Sequence, residues 1–182
     1  TNRQIRWFWG GLAVWSVFVT LLLYGAALDL PFFFDDLDLL PFAANTRLAD
    51  IWQTAGTFPY FRPLTTTVWR LVFLLFGELN STAFHAVNLI LHSLNGWLVG
   101  YLAGHLFAQS SRQRRWDVAW LSSTLFLIYP FSFQAVPWAG SLSHLLVTTL
   151  LLSSLACFVI FYRRGGIGWA FLSLLFTFLA PF

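Results

Sequence analysis

Two adjacent aspartates, Asp35 and Asp36, are the residues of this sequence whose types and spacing best suit chemistry. They stand in the stretch FFFDDLDLLPF, after three phenylalanines and close to a third acid, Asp38. Adjacent carboxylates can divide labour, because one can accept a proton while its neighbour binds a cation or tunes the first one's pKa. A low-dielectric membrane edge favours a raised pKa or a bound cation at such a pair. The alternative is an aspartate-rich turn that ends a helix.

A second polar group falls on one predicted helix. His85, Asn88 and His92 follow one another at i, i+3 and i+7, so they cover about 60° of one helical face. Polar side chains on a lipid-embedded helix need partners inside the protein. This stripe therefore predicts either hydrogen bonds between helices or contacts with a substrate. Glycines at four-residue spacing continue the helix and permit close packing of a neighbour: Gly96, Gly100 and Gly104.

Arg62 is a cation in the segment YFRPL, directly before Pro63. Arginine binds phosphate oxygens with two parallel hydrogen bonds, so Arg62 is a candidate for a substrate phosphate. The alternative is an anchor that binds lipid head groups. His144 is expected to be a structural hydrogen-bond partner. The sequence shows no phosphate-cradling glycine loop, no Cys/His cluster with metal-ligand spacing and no Ser-His-Asp arrangement.

Helices in a membrane are expected to position these residues. The chain is 58% hydrophobic and 9% charged, whereas a soluble domain carries roughly 25% charged residues. Apolar runs at 7–27, 84–107, 118–131, 141–162 and 167–182 predict an all-α polytopic membrane protein with five transmembrane helices in one domain, 1–182. Residues 28–83 predict an external loop. Within it, a helix over 63–76 would reach only about 21 Å, short of the roughly 30 Å hydrocarbon core, which predicts an interfacial helix.

The arginines predict the orientation of the chain. All ten basic residues are arginine, and seven of them flank the predicted spans in three clusters, at 3–6, 112–115 and 163–164. Basic residues mark the cytoplasmic side, so we expect a cytoplasmic N-terminus in a bacterial-type inner membrane. Residues 28–83 hold six of the seven acids, which makes the external loop negatively charged. This dispersed pattern predicts membrane lipids as partners rather than nucleic acid.

The order of these segments resembles the N-terminal half of polytopic glycosyltransferases of the GT-C superfamily. The resemblance is carried by FFFDD, YFRPL, FHAVNLILH and YPFSFQAVPWAG, and it covers about residues 30–145. It is closest to the protein O-mannosyltransferase-like branch, which uses polyprenyl-phosphate sugars. The resemblance implies that Asp35 and Asp36 match the catalytic acidic pair, with Asp36 on the metal or phosphate side. It implies structural and substrate-side positions for Arg62, His85, Asn88 and His92.

The sequence departs from that family pattern in three places, one of which is SLSHLL, where the family tends to have Arg or Asp after W-x-x-G. Tyr129 precedes Pro130 where the family tends to have histidine, and Gln134 stands where it tends to have glutamate. The chain also has no methionine and ends within an apolar run, so we expect a piece of a longer protein.

The function expected from the resemblance is that of an integral membrane glycosyltransferase, or its N-terminal half. It would move a sugar from a polyprenyl-phosphate donor to an external acceptor, with a divalent cation, Mg²⁺ or Mn²⁺, expected at Asp36. The alternative is a catalytically inactive relative that serves as a structural subunit of a larger membrane protein complex.

Overall fold

The computed structural model describes residues 2–53, 60–77, 80–107 and 111–182. Within these ranges the chain is helical and forms no strand, as the sequence predicts. Eight α-helices follow one another: α1 Asn2–Tyr24, α2 Asp36–Asn45, α3 Leu48–Ile51, α4 Pro63–Phe76, α5 Ser81–Leu106, α6 Arg112–Leu127, α7 Leu142–Arg164 and α8 Ile167–Leu179. Short 3₁₀ turns lie at Gly25–Asp29, Pro130–Gln134 and Ala139–Ser141.

Capping residues set several helix ends. The side chain of Asn80 accepts a hydrogen bond from the Ala83 N–H at the start of α5, and Ser111 does the same at the start of α6. Pro63 is the first residue of α4, where its missing N–H costs nothing. Gly77 ends α4 with φ of 72°, a left-handed conformation that favours glycine.

The centre of the bundle is α5, which packs against α1, α6 and α7. α1 and α6 run antiparallel to α5, and α7 runs parallel to it. At Gly100 an added Cβ would lie 2.7 Å from the carbonyl oxygen of Ala119 and 2.9 Å from Leu12 Cδ2. The backbones of α5 and α6 therefore approach closely at a position that only glycine permits, which explains part of the four-residue glycine spacing.

Two helical stretches among the described residues are long and apolar enough to cross a membrane, Arg3–Asp29 and Ala139–Arg164. α4 and α8 are apolar but shorter. α5 has 26 residues, about 39 Å of helix, but its composition is interrupted by the polar stripe. The helical class and the two apolar stretches agree with a membrane protein. The count of five transmembrane helices stays a prediction.

The expected external loop, 28–83, contains more helix than its sequence suggested. α4 spans the residues of the expected short helix, and its place at a membrane interface stays a prediction. α2 and α3 precede it, and α2 packs on α4. Pro41 lies inside α2, and a proline at that position argues against a helix when only the sequence is considered. The acids in the first turn of α2 favour a helix start. Residues 54–59 and 78–79 of this segment lie outside the described residues.

The span expected at 118–131 is shifted in the structure. α6 starts at Arg112, within the stretch expected to be a polar turn, and ends at Leu127. Its end precedes Pro130, because a residue before proline is disfavoured in the helical conformation.

The arginine clusters lie at one end of the bundle. Arg112 at the start of α6 donates to the side chain of Gln4 in α1, at 2.9 Å. Arg163 at the end of α7 donates to the carbonyl oxygen of His105 at the end of α5. The structure therefore brings together the clusters that the sequence assigned to one side. Which side of a membrane this end faces stays a prediction.

Candidate functional site

Asp36 is the buried centre of a polar site at the opposite end of the bundle. Its side chain is 0% exposed. Oδ1 accepts a hydrogen bond of 2.6 Å from the backbone N–H of Gly140, and Oδ2 accepts one of 3.3 Å from the N–H of Phe33. The carboxylate thus joins the start of α2 to the segment before α7, 104 residues away along the chain.

Gly140 is required by its closeness to this carboxylate. A Cβ at this position would lie 2.8 Å from Asp36 Oδ1 and 3.0 Å from Trp138 Nε1. Both neighbours are themselves packed, so a larger residue would displace the carboxylate from its hydrogen bond. Gly140, the glycine of the WAG sequence, therefore leaves the space that the Asp36 carboxyl group occupies.

Asn88 holds the same segment from the side of α5. Its Nδ2 donates to the carbonyl oxygens of Trp138, at 2.7 Å, and Val136, at 3.2 Å. Asn88 is 1% exposed, and Val136 is completely buried. Asp36 and Asn88 together fix the backbone of residues 136–140, which we name the clamped segment.

His85 lies one helical turn before Asn88, beside Asp36. Its side chain is 0% exposed, and within the described residues neither ring nitrogen has a hydrogen-bond partner. Asn88 Oδ1 also has no partner among the described residues, whereas the Trp138 indole is directed at the Asp36 carboxyl group. Buried polar atoms are nearly always paired, with protein groups or with water. A group of unpaired atoms in one place therefore marks a position that can accept a polar ligand or an ordered water.

Burial raises the pKa of Asp36 above its usual range, because the charged form is desolvated. The N–H groups of Phe33 and Gly140, the nearby His85 and the Trp138 indole act in the opposite direction, since each favours the carboxylate. Burial outweighs these contacts, so the net effect is a raised pKa of Asp36.

Asp35 differs from its neighbour in every respect that matters for chemistry. It is exposed, it stands at the N-cap of α2, and its side chain makes no capping hydrogen bond. The residue before it, Phe34, has φ of 50°, a left-handed conformation that costs a non-glycine residue on the order of 1 kcal/mol. This turn separates an accessible carboxylate at Asp35 from a buried one at Asp36.

Arg62 lies next to this site, across the start of α7. It donates to the hydroxyl of Ser143 at 3.2 Å, and its guanidinium stacks over the Tyr60 ring at 4.3 Å. Ser143 follows Gly140 by three residues, about one helical turn. Arg62 also lines a cavity of about 120 Å³ together with Thr65, Ser143, His144 and the chain end at 180–182.

His92 is set apart from the other expected site residues. It is 1% exposed, and its ring packs against Tyr24 and Phe126 at centroid distances of 5.4 and 5.5 Å. Its Nε2 lies 3.4 Å from the carbonyl oxygen of Leu127. The structure therefore places His92 between α1, α5 and α6, in helix packing.

The divalent cation expected at Asp36 fits these residues poorly. Both oxygens of Asp36 already accept backbone hydrogen bonds, and Asp35 is exposed. In the part of the chain that the structure describes, no three His, Cys, Asp or Glu side chains come together to hold a metal ion. Mg²⁺ or Mn²⁺ at this site stays a prediction.

Sequence reasoning missed two contributors. The clamped segment was noted for its motif, but the contacts of Trp138 and Gly140 with Asp36 are long-range and leave no local signal. Asn95 is 0% exposed, donates to the carbonyl of Leu145 at 3.2 Å and accepts from Thr149 at 2.7 Å. It extends the polar stripe of α5, since it follows Asn88 by seven residues, and that spacing was available in the sequence.

Comparison with known proteins gives distant relatives for most of the chain. It is 26% identical over 179 residues to human protein O-mannosyl-transferase TMTC4, and 25% identical over 179 residues to the mouse protein of that name. Each alignment covers 87% of this chain and 24% of the relative, so the chain spans about a quarter of their length. No family model and no solved structure matches. The chain is thus similar, at low identity, to proteins described as O-mannosyl-transferases.

Proposed function

We propose that this chain carries the acidic site of a membrane glycosyltransferase of the GT-C type. Such an enzyme moves a sugar from a polyprenyl-phosphate donor to a hydroxyl acceptor on the external face. The observation that carries the proposal is the contrast between exposed Asp35 and buried Asp36 in one acidic pair. The distant similarity to O-mannosyl-transferases, over 87% of the chain, supports the same reaction class.

Asp35 is the general base in this proposal. Its carboxylate accepts the proton of the acceptor hydroxyl while that oxygen forms a bond to the sugar C1 carbon. The bond between C1 and the donor phosphate oxygen breaks at the same time, and the polyprenyl phosphate leaves with the electron pair. Asp35 suits this role because its side chain is exposed and makes no capping bond.

Asp36 is a positioning residue. Through Gly140 it fixes the clamped segment, and through Phe33 it fixes the turn that presents Asp35. Arg62 is the group that neutralises the departing phosphate, since a guanidinium matches phosphate oxygens and this one lines a cavity one helical turn from the clamped segment. His85 and Asn88 are almost completely buried behind the site, so in this proposal they support the substrate side by holding Asp36 and the clamped segment in place.

The test is Asp35→Asn in the full protein, assayed for sugar transfer from a polyprenyl-phosphate mannose in membranes. Removal of a general base lowers the rate by about 100-fold or more. Asp38→Asn is the matched control, because Asp38 is also exposed and lies in the first turn of the same helix. Unchanged transfer by Asp35→Asn, with normal expression, would contradict the role of the pair.

A second candidate is a catalytically inactive relative that serves as a structural subunit of a larger membrane complex. Gln134 favours it, because this exposed residue stands where the similar enzymes tend to have a carboxylate. The high aromatic content, 20%, also suits packing against other membrane helices. This candidate predicts stable co-purification with other membrane proteins and no transfer by the wild type, and Gln134→Glu would not restore any.

A further inference from the structure

A cavity of about 510 Å³ lies at the arginine end of the bundle, at the far end of α5 from Asp36. His85 beside Asp36 and His105 beside the cavity are 20 positions apart on α5, which corresponds to about 30 Å of helix. The cavity is therefore separate from the site described above. Its polar and aromatic lining comes from α1, α5, α6 and α7: Trp9, Tyr101, His105, Arg115, Arg163 and Arg164.

His105 organises the arginines around this cavity. Its Nδ1 lies 2.8 Å from the carbonyl oxygen of Tyr101, so Nδ1 carries the proton and donates there. Nε2 is then an acceptor, and the Arg115 guanidinium donates to it at 3.5 Å. Arg163 donates to the His105 carbonyl oxygen. One histidine thus orients guanidinium groups from two other helices towards the same space.

Aromatic rings complete the wall. The His105 ring packs on Tyr101 and Trp9, at centroid distances of 4.1 and 5.6 Å. The Arg115 guanidinium lies over the Trp9 ring at 5.7 Å. A guanidinium held on an aromatic face loses little freedom when it binds an anion, because it is already oriented.

No carboxylate of the described residues forms a salt bridge with the arginines of this cavity. Across the described ranges the one salt bridge joins Arg47 and Asp50, which belong to another part of the chain. The acid closest in sequence to Arg115 is Asp117, and its carboxylate accepts from Gln113 at 2.7 Å. Arg115 Nε is buried and has no hydrogen-bond partner within the part of the chain that the structure describes. Arg115, Arg163 and Arg164 therefore line one space without a salt bridge to any carboxylate of the described residues.

We propose that this cavity binds a phosphate-bearing anion, with Arg115 at its base and Arg163 and Arg164 at its mouth. Arginines recognise phosphate oxygens through paired hydrogen bonds, and basic pockets between membrane helices bind anionic head groups. The bound phosphate belongs either to an anionic phospholipid or to a soluble phosphate, and the two sources share this chemistry. The apolar part of the lining, Ile5, Val159 and Ile160, suits a head group that carries acyl chains.

Arginines at the same end of the bundle that do not line the cavity are expected to contribute less to anion binding. Arg112 and Arg114 lie in the same turn as Arg115, but both are exposed and neither lines the cavity. They carry the same charge at the same end of the bundle, so they provide a matched control. Binding through general electrostatic attraction would depend equally on both pairs, whereas a built site depends on the cavity pair.

The experiment measures binding of phosphatidylglycerol, phosphatidylcholine and inorganic phosphate to the full purified chain, by native mass spectrometry and by thermal shift in detergent. Arg115→Gln/Arg163→Gln is compared with Arg112→Gln/Arg114→Gln. Each cavity arginine contributes about fivefold to affinity for an anionic head group, so the cavity pair is expected to lower it by roughly 25-fold. The control pair is expected to change it by about twofold, since neither residue lines the cavity and their longer-range attraction is screened by salt.

Arg164→Gln guards against a folding defect, because Arg164 is exposed and its loss removes no hydrogen bond that the described residues make. It should weaken binding about fivefold without changing the thermal midpoint of the free protein. Binding of phosphatidylglycerol but not inorganic phosphate assigns the site to lipid, and binding of inorganic phosphate alone assigns it to a soluble anion. Retention of neither probe, or equal losses from the cavity and control pairs, would overturn the proposal.

Discussion

Replacement of Gly140 by alanine tests the central contact of the site. The new Cβ would lie 2.8 Å from Asp36 Oδ1, about 0.6 Å inside the 3.4 Å at which ordinary contact begins. The carboxylate cannot move away without lengthening its 2.6 Å hydrogen bond to the N–H of the same residue. In the Gly140→Ala variant, the Asp36 carboxyl group therefore cannot both avoid the new Cβ and keep its hydrogen bond to the residue 140 N–H.

The magnitude follows from these two effects. Overpacking a tight site costs roughly 1–3 kcal/mol, and loss of a hydrogen bond to a buried carboxyl costs about the same. The lower entropy of unfolded alanine offsets about 0.4–1 kcal/mol. We expect a net loss of about 3 kcal/mol, or a fall of roughly 6–12 °C in the thermal midpoint for a chain of this size.

A double-mutant cycle with Asp36→Ala separates this steric effect from a general defect. Without the carboxylate, the Gly140→Ala methyl group occupies the vacated space, so the second substitution should add little. The expected coupling is about 2 kcal/mol. Gly11→Ala is the matched control, because a Cβ there meets nothing within 4 Å. It should be neutral or slightly stabilising. A Gly140→Ala midpoint equal to that of the wild type, or additive effects in the cycle, would refute the geometry described for Asp36.

Three further outcomes are expected from thermal unfolding of the purified chain. Asn88→Ala should lower the free energy of unfolding by roughly 2 kcal/mol, and Asn88→Asp should lower it further. The reason is that an aspartate carboxylate would face two carbonyl oxygens that now accept hydrogen bonds from Asn88. A larger loss for Asn88→Ala than for Asn88→Asp would contradict the assigned donors. Gly100→Ala should lower the free energy of unfolding by about 3 kcal/mol, more than Gly104→Ala does. The new Cβ at Gly100 would meet backbone, whereas the one at Gly104 would meet the edge of the Trp9 ring. Equal thermal midpoints of the two variants would argue against close helix approach at Gly100. The raised pKa of Asp36 means that the native state holds this proton more tightly than the unfolded chain. The stabilisation from Asp36 is then full below the unfolded pKa of about 3.9 and is lost as pH rises through the native pKa, so wild type should lose stability relative to Asp36→Asn from about pH 4 upward.

Local patterns allowed much of this fold to be predicted. The bounds of α4 follow from Pro63 and Gly77, which fix a start and an end in any context. The length of α5 follows from one long apolar segment without a proline. α2 escaped prediction because Pro41 interrupts its pattern, and its stability comes from packing on α4, which no local signal reports.

The candidate site was predictable in its residue types and not in its division of roles. Adjacent aspartates in the sequence predict a carboxylate pair. The sequence does not show the turn at Phe34, after which Asp35 is exposed and Asp36 is buried. His85 and Asn88 share one helical face, so their proximity could be anticipated. His92 shares that face as well, yet it meets α1 and α6 instead, because neighbouring helices differ from one turn of α5 to the next.

The contact between Asp36 and Gly140 has a consequence for how the chain is made. The two residues are 104 positions apart. At a synthesis rate of about 5–20 residues per second, roughly 5–20 s pass after Asp36 leaves the ribosome before Gly140 follows it. During that interval the carboxyl group of Asp36 can accept from the local N–H of Phe33 but lacks its second partner, the N–H of Gly140. The site is therefore completed late, and a chain that stops before residue 140 lacks the contact that joins Asp36 to the segment before α7.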